Sequence, residues 1–150
     1  MKRFATVAIA IGMSGAVWAE DVAPTKVMFE DGMVTASLTG VAGDPENGRK
    51  VFLNRKQGNC LACHANADLE DHPFHGEVGP PLDGVADRWE VAELRGIVTN
   101  AKMMFNGSIM PAFYRDAGFA RNLEKFEGKT ILTAQQVEDV VAYLQTLKEE

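Results

Sequence analysis

Cys60, Cys63 and His64, in the run Cys60-Leu61-Ala62-Cys63-His64, are the residues of this 150-residue chain whose types and spacing point most directly to chemistry. One helical turn across C-x-x-C-H brings two thiols to one side, where they can form thioethers with the two vinyl groups of a haem. The imidazole that follows then faces the iron. The run is the attachment signature of one covalently bound haem c, anchored by Cys60 and Cys63, with His64 as an axial iron ligand. Other uses are weaker. A redox dithiol needs a βαβ setting, of which the sequence has no sign, and has no need of the histidine. A zinc site built from Cys60, Cys63, His72 and His75 misses the usual finger spacing. A disulfide between cysteines so close would constrain almost no loop.

A second axial donor must come from His72, His75, Met103, Met104 or Met110. Met110 is the best candidate, 46 positions after His64 (110 − 64) in a loop stiffened by Pro111. Met103 and Met104 lie in a helical stretch, where methionine more often fills a core. The two histidines are the alternative. Met/His ligation raises the reduction potential, and filling both axial positions leaves the iron no site for a substrate, so electron transfer is the expected role. The run Gly79-Pro80-Pro81-Leu82 offers a carbonyl, that of Pro80, to hold the other ring nitrogen of His64. Pro80 and Leu82 are therefore candidate haem-pocket residues. Trp89, Tyr114 and Arg115 are candidate partners for haem propionates.

The elements that must position these groups read as helices. Asp44 as N-cap, Pro45 at the first helical position and Glu46 in the first turn predict a helix over residues 45–56 that delivers the chain to Cys60. Residues 65–84 are too rich in proline and glycine for helix. Val91, Leu94, Ile97 and Val98 recur at helical spacing after Asp87, predicting a middle helix that fades at Thr99-Asn100. The stretch holding Met103 and Met104 is a further short helical piece, and residues 112–131 are irregular. Thr133 with Gln136 forms a capping box, and Leu132 is placed to staple onto Val137. The stripe Val137, Val140, Val141, Leu144 and Leu147 makes the last helix the clearest element. Before the domain, Glu30-Asp31-Gly32 between short apolar runs is a tight-turn signal in an N-terminal arm. Arg49, Lys50, Arg55 and Lys56 read as a solvated basic face.

Lys2 and Arg3, the apolar run 4–17 and the small residue Ala19 predict a secretory signal peptide over residues 1–19, which implies periplasmic export. The run is too short for a membrane anchor. Its removal leaves 131 residues (150 − 19), enough for one cytochrome-sized domain over 42–150 preceded by an arm over 20–41 that could bind a partner. Losing two cations takes the net charge from −6 to −8, which argues against nucleic acid as a partner.

The order of helix, C-x-x-C-H, Gly-Pro-x-Leu loop, middle helix, Met-Pro and capped last helix resembles the all-α class I cytochrome c fold. In that family a glycine of the first helix lets the last helix cross against an aromatic, and Gly48 and Tyr143 resemble that pair. More narrowly, Gly58 to His64, Gly79-Pro80-Pro81-Leu82-Asp83-Gly84, Leu94-Arg95 and Ile109-Met110-Pro111-Ala112-Phe113-Tyr114 resemble the SoxX family. Its members are the mono-haem subunits of SoxAX cytochromes in bacterial thiosulfate oxidation. The resemblance implies a heterodimer with a SoxA-like subunit, which would join thiosulfate to a cysteine of a SoxYZ-like carrier as an L-cysteine S-thiosulfotransferase. This chain would pass the electrons to a downstream cytochrome and would not itself be catalytic. The rival expectations are a free-standing periplasmic electron shuttle and a ligand-binding haem sensor with a displaceable Met110.

Overall fold

A computed structural model describes residues 20–149; the expected signal peptide at 1–19 lies outside the described residues. Asp44 starts the first helix, α1 (Pro45–Leu53), by accepting hydrogen bonds from the Glu46 and Asn47 amides at 2.9 and 3.3 Å. The helix stops three residues short of the expected end. Asn54 turns extended and its side chain accepts from the Lys56 amide at 2.9 Å, so an asparagine competing for the backbone ends the helix early. A short helix α2 (Val85–Arg88) precedes α3 (Val91–Asn100), whose start is fixed by the Glu93 carboxylate accepting from the Glu90 amide at 2.7 Å. Ala101–Met103 forms a 3-10 turn, and residues 112–131 are irregular apart from the turn Glu124–Phe126. The last helix, α4 (Ala134–Leu144), carries the expected box, with Gln136 N–H on Thr133 Oγ1 at 3.1 Å and Thr133 N–H on Gln136 Oε1 at 3.0 Å. Among the described residues there is no strand beyond a bridge between Glu30 and Met33, so the class is all-α as expected.

The core is assembled where α1 crosses α4. Val51 and Phe52 of α1 pack with Val137, Val140, Val141 and Leu144 of α4, and with Leu94 and Val98 of α3. Phe52 meets Tyr143 edge to face, with centroids 5.4 Å apart. Gly48 makes the crossing possible, because a Cβ there would fall on the Asp139 carbonyl and within 2.8 Å of Tyr143 Cβ. The pairing of Gly48 with Tyr143 is the one implied by the family resemblance.

The arm lies against this domain. Asp31 and Gly32 both have positive φ, 50° and 84°, in a two-residue turn closed by Glu30 and Met33, which exchange hydrogen bonds of 2.9 Å. Val34 and Leu38 are buried in the core. They are held by Val34 N–H on the Ala92 carbonyl at 2.9 Å and Leu38 N–H on Glu138 Oε1 at 2.7 Å. Glu138 also receives Arg95 Nε at 2.9 Å, and Arg95 Nη1 reaches the Val34 carbonyl at 2.9 Å.

Candidate haem site

Beyond α1 the chain passes Asn59, in the left-handed region at φ 48°, and turns through Cys60–Ala62. The Cys63 and His64 amides both donate to the Cys60 carbonyl at 3.0 Å, so the motif forms the single turn that its spacing requires. Cys60 is half-buried against the core and Cys63 is exposed. Burial, with a smaller push from Cys63, raises the Cys60 thiol to about 12. At neutral pH it is a neutral thiol, unlike the thiolate of a redox dithiol.

Residues 76–83 are stitched onto this turn in register. The Gly76 amide donates to Leu61 at 2.9 Å, Gly79 to Cys63 at 2.7 Å and Leu82 to Ala65 at 2.9 Å, while Ala67 donates to Asp83 Oδ1 at 2.7 Å. In the middle of that strap the Pro80 carbonyl lies 2.8 Å from His64 Nδ1. A donor Nδ1–H there fixes the tautomer and leaves Nε2 for iron. Gly79 is needed for the same reason, since a Cβ at that position would fall on the imidazole. Arg88 braces the strap from α2, with its guanidinium on the Asp83 carbonyl at 2.5 Å and the Pro81 carbonyl at 3.0 Å. Nothing in the sequence pattern marks Arg88 for this task.

The remaining donors separate by their surroundings. His75 has both ring nitrogens engaged, Nδ1 accepting from the Asn66 amide at 3.3 Å and Nε2 on the Leu69 carbonyl at 3.0 Å. His72 sits 3.7 Å from the Asp71 carboxylate. Met103 is 52% exposed, and Met104 is the residue over which the arm's Gly32 turns, 2.6 Å from where a Gly32 Cβ would stand. Met110 is half-buried and packs on the core, as do Leu82, Trp89 and Cys60. Its backbone is held at both ends, its amide by Ser108 Oγ at 3.3 Å and its carbonyl by Lys102 Nζ at 2.5 Å. Among the described residues no three His, Cys, Asp or Glu side chains gather as a metal site, so Cys60, Cys63, His72 and His75 do not form one.

Of the propionate candidates, Tyr114 donates to the Val22 carbonyl at 2.7 Å, and Arg115 donates to the carbonyls of Ala117 at 2.6 Å and Gly118 at 2.8 Å. Both are used inside the chain. Trp89 packs edge-on against Phe105 with centroids 5.8 Å apart. A network that spacing did not reveal lies just after His64. Tyr143 donates to Asp68 Oδ2 at 2.7 Å and accepts from Asn66 Nδ2 at 2.9 Å, and Arg49 approaches Asp68 at 3.4 Å. The donor set fits a covalently attached haem: two free thiols on one turn, an imidazole with Nδ1 already tied, and a half-buried thioether that packs, as Leu82 and Trp89 do, on the core.

The cytochrome c family model matches residues 45–148. A chain of the crystal structure of SoxXA from P. pantotrophus is 51% identical, with TM-score 0.81, covering 86% of this chain and 99% of that one. The c-type cytochrome SorU from Sinorhizobium meliloti is 30% identical over 69% of this chain and 90% of that one, with TM-score 0.46. A comparison with curated proteins finds no match.

Proposed function

Because the chain belongs to the cytochrome c family, in its SoxX branch, we propose that it is the electron-transfer subunit of a SoxXA-type complex that oxidises thiosulfate. Joining a thiosulfate sulfur to a cysteine thiol of a SoxYZ-like carrier forms one S–S bond and releases two electrons and the thiol proton. That bond forms at the SoxA-like partner. Both cysteines of this chain are haem anchors, so it has no thiol left for such an intermediate. The chain takes the electrons one at a time and hands them to a downstream cytochrome. The expected leader at 1–19 places it in the periplasm, and among the described residues no helix is long and apolar enough to cross a membrane.

The observation that carries this reading is the C-x-x-C-H turn with His64 Nδ1 held by Pro80 at 2.8 Å, in a chain 51% identical to one of SoxXA. Bound haem c supplies a one-electron ferric/ferrous couple. The chain's own residues would hold it: Cys60 and Cys63 as anchors, His64 as an iron ligand in a tautomer fixed by Pro80, and Met110 as the second donor. His75 is spent on loop carbonyl and amide groups, which leaves the thioether as the better donor. With both ligands drawn from the chain, no position on the iron would be left for a substrate, and the group would supply electron transfer alone.

Native purification from the periplasm tests the assembly. A haem-containing partner is expected to accompany the chain, and a lone monomer would remove the SoxXA reading in favour of a free shuttle. For ligation, Met110→Ala is expected to abolish the near-infrared sulfur-to-iron band of the oxidised protein and to let carbon monoxide bind the reduced one. An unchanged band would move the role to Met103 or Met104.

A further inference from the structure

Phe74 adopts φ 67°, in the left-handed region that bulky residues avoid, and its side chain is 84% exposed. Such a conformation carries a real cost and persists only when its surroundings impose it. Here they do. His75, the next residue, is pinned through both ring nitrogens to Asn66 and Leu69. The Gly76 amide is tied to Leu61 at 2.9 Å, and Gly76 lies so close to the Ala62 carbonyl that a Cβ would not fit. The loop thus holds an aromatic ring out in solvent. No burial within the chain offsets the strain.

Its setting narrows what the ring is for. Gly76 packs on the backbone of Ala62 and Cys63, so the loop that carries Phe74 is tied to the turn holding the exposed Cys63. Val78, four residues on, is 66% exposed. Residues 65–78 contain four acids and no Lys or Arg; Arg49 pairs with Asp68 and Asp71 at 3.4 and 4.0 Å, and Glu70 and Glu77 are exposed. A small apolar centre with a charged rim is the anatomy of a transient electron-transfer contact, in which the rim steers the encounter and the centre holds it.

We propose that the Phe74 loop is the docking face for the electron acceptor, a redox protein whose cofactor edge is apolar and ringed by cations. The proposal rests on reading the chain as an electron carrier. One electron leaves this chain's ferrous iron, which becomes ferric, and reduces the acceptor's oxidised centre by one; no bond or proton moves.

The test uses the haem-loaded protein and mitochondrial cytochrome c, a basic single-haem protein, as probe, with electron transfer followed by stopped flow in whichever direction the potentials drive it. The rate constant is expected to fall steeply with salt, and less steeply in Glu70→Gln/Glu77→Gln. Phe74→Gly is expected to slow transfer by about fivefold or more. It should leave the thermal midpoint equal or higher, because glycine relieves the φ, and leave oxidation by a small cobalt complex unchanged. Unaltered transfer in Phe74→Gly, or a wild-type rate insensitive to salt, overturns the docking role. So does a changed potential with unchanged association, which would make Phe74 part of the haem's own cover. A chain that takes up no haem fails earlier, in its absorption spectrum, and defeats the carrier reading itself.

Discussion

Tyr143 shows how a single side chain serves two tasks. Its ring packs on Phe52 at the helix crossing, while its hydroxyl joins Asn66 and Asp68, two and four residues beyond His64. Burial first, then the hydrogen bond and charge of Asp68, push the phenol well above its usual value. A raised folded value means the folded state holds the proton more tightly, so this stabilisation is complete below pH about 10 and is lost as pH rises through the folded value. Tyr143→Phe is expected to cost about 1–3 kcal/mol at neutral pH, by removing the hydroxyl that pairs with Asn66 Nδ2 and Asp68 Oδ2. The gap to wild type should narrow above pH about 10, as read by urea unfolding at stepped pH. A gap constant with pH would show that the hydroxyl contributes nothing through its proton. The sequence pointed to Tyr143 only as a crossing aromatic, because Asp68 and Asn66 are 75 and 77 positions away and no local pattern links them. The proposed haem anchors, Cys60 and Cys63, are legible for the opposite reason. Thioether attachment needs its residues contiguous, so the chemistry is written in five adjacent letters. Pro80 was legible as a carbonyl at a predictable place in a proline-rich strap, whereas Arg88 was not.

At the scale of elements, the crossing of α1 and α4 governs the site, because α1 leads through residues 54–59 to the turn that carries Cys60 and α4 supplies Tyr143 to the loop after His64. The approach is close enough that Gly48 has the Asp139 carbonyl where a Cβ would be. Asp139 is itself buried and fully used, accepting from the Asp44 amide at 2.9 Å, Asn47 Nδ2 at 2.6 Å and Gln135 Nε2 at 2.9 Å. Neither helix can slide without breaking that set. Gly48→Ala gains ~1 kcal/mol of helix propensity yet is expected to lose about 2 kcal/mol net, since overpacking must push the helices apart. Chemical denaturation of the haem-loaded protein measures it, and a stabilised variant would show that the crossing has slack. Helix identities and the α4 cap were readable from spacing and capping residues. The end of α1 was not, because Asn54 has a plausible helical position and leaves it only through its own side-chain bond to the Lys56 amide.

The arm and the domain behave as one body because of a buried ion pair that composition alone hides among 36 charged residues (15 basic and 21 acidic). Arg95 of α3 and Glu138 of α4 meet at 2.9 Å with side chains only 9% and 6% exposed, and each also holds the arm, Glu138 at the Leu38 amide and Arg95 at the Val34 carbonyl. The pair is therefore a rivet through three layers. A buried pair adds little over a well-packed apolar substitute, but removing one partner strands the other. Arg95→Leu leaves Glu138 charged and uncompensated and frees the Val34 carbonyl, so a loss of about 3–5 kcal/mol is expected. The arm should loosen first, since its remaining polar ties to the domain are the Leu38 amide and Ser37 hydroxyl on the stranded Glu138, the Val34–Ala92 backbone bond and the Tyr114 hydroxyl on Val22. Limited proteolysis then cuts within residues 20–41 well before the haem domain is attacked. Uniform cleavage throughout, or an arm as resistant as in wild type, would show that the rivet does not join the layers. The outcome bears on assembly, because Met28 on the arm is 78% exposed, and a rigid arm presents that side chain to a partner subunit in one place.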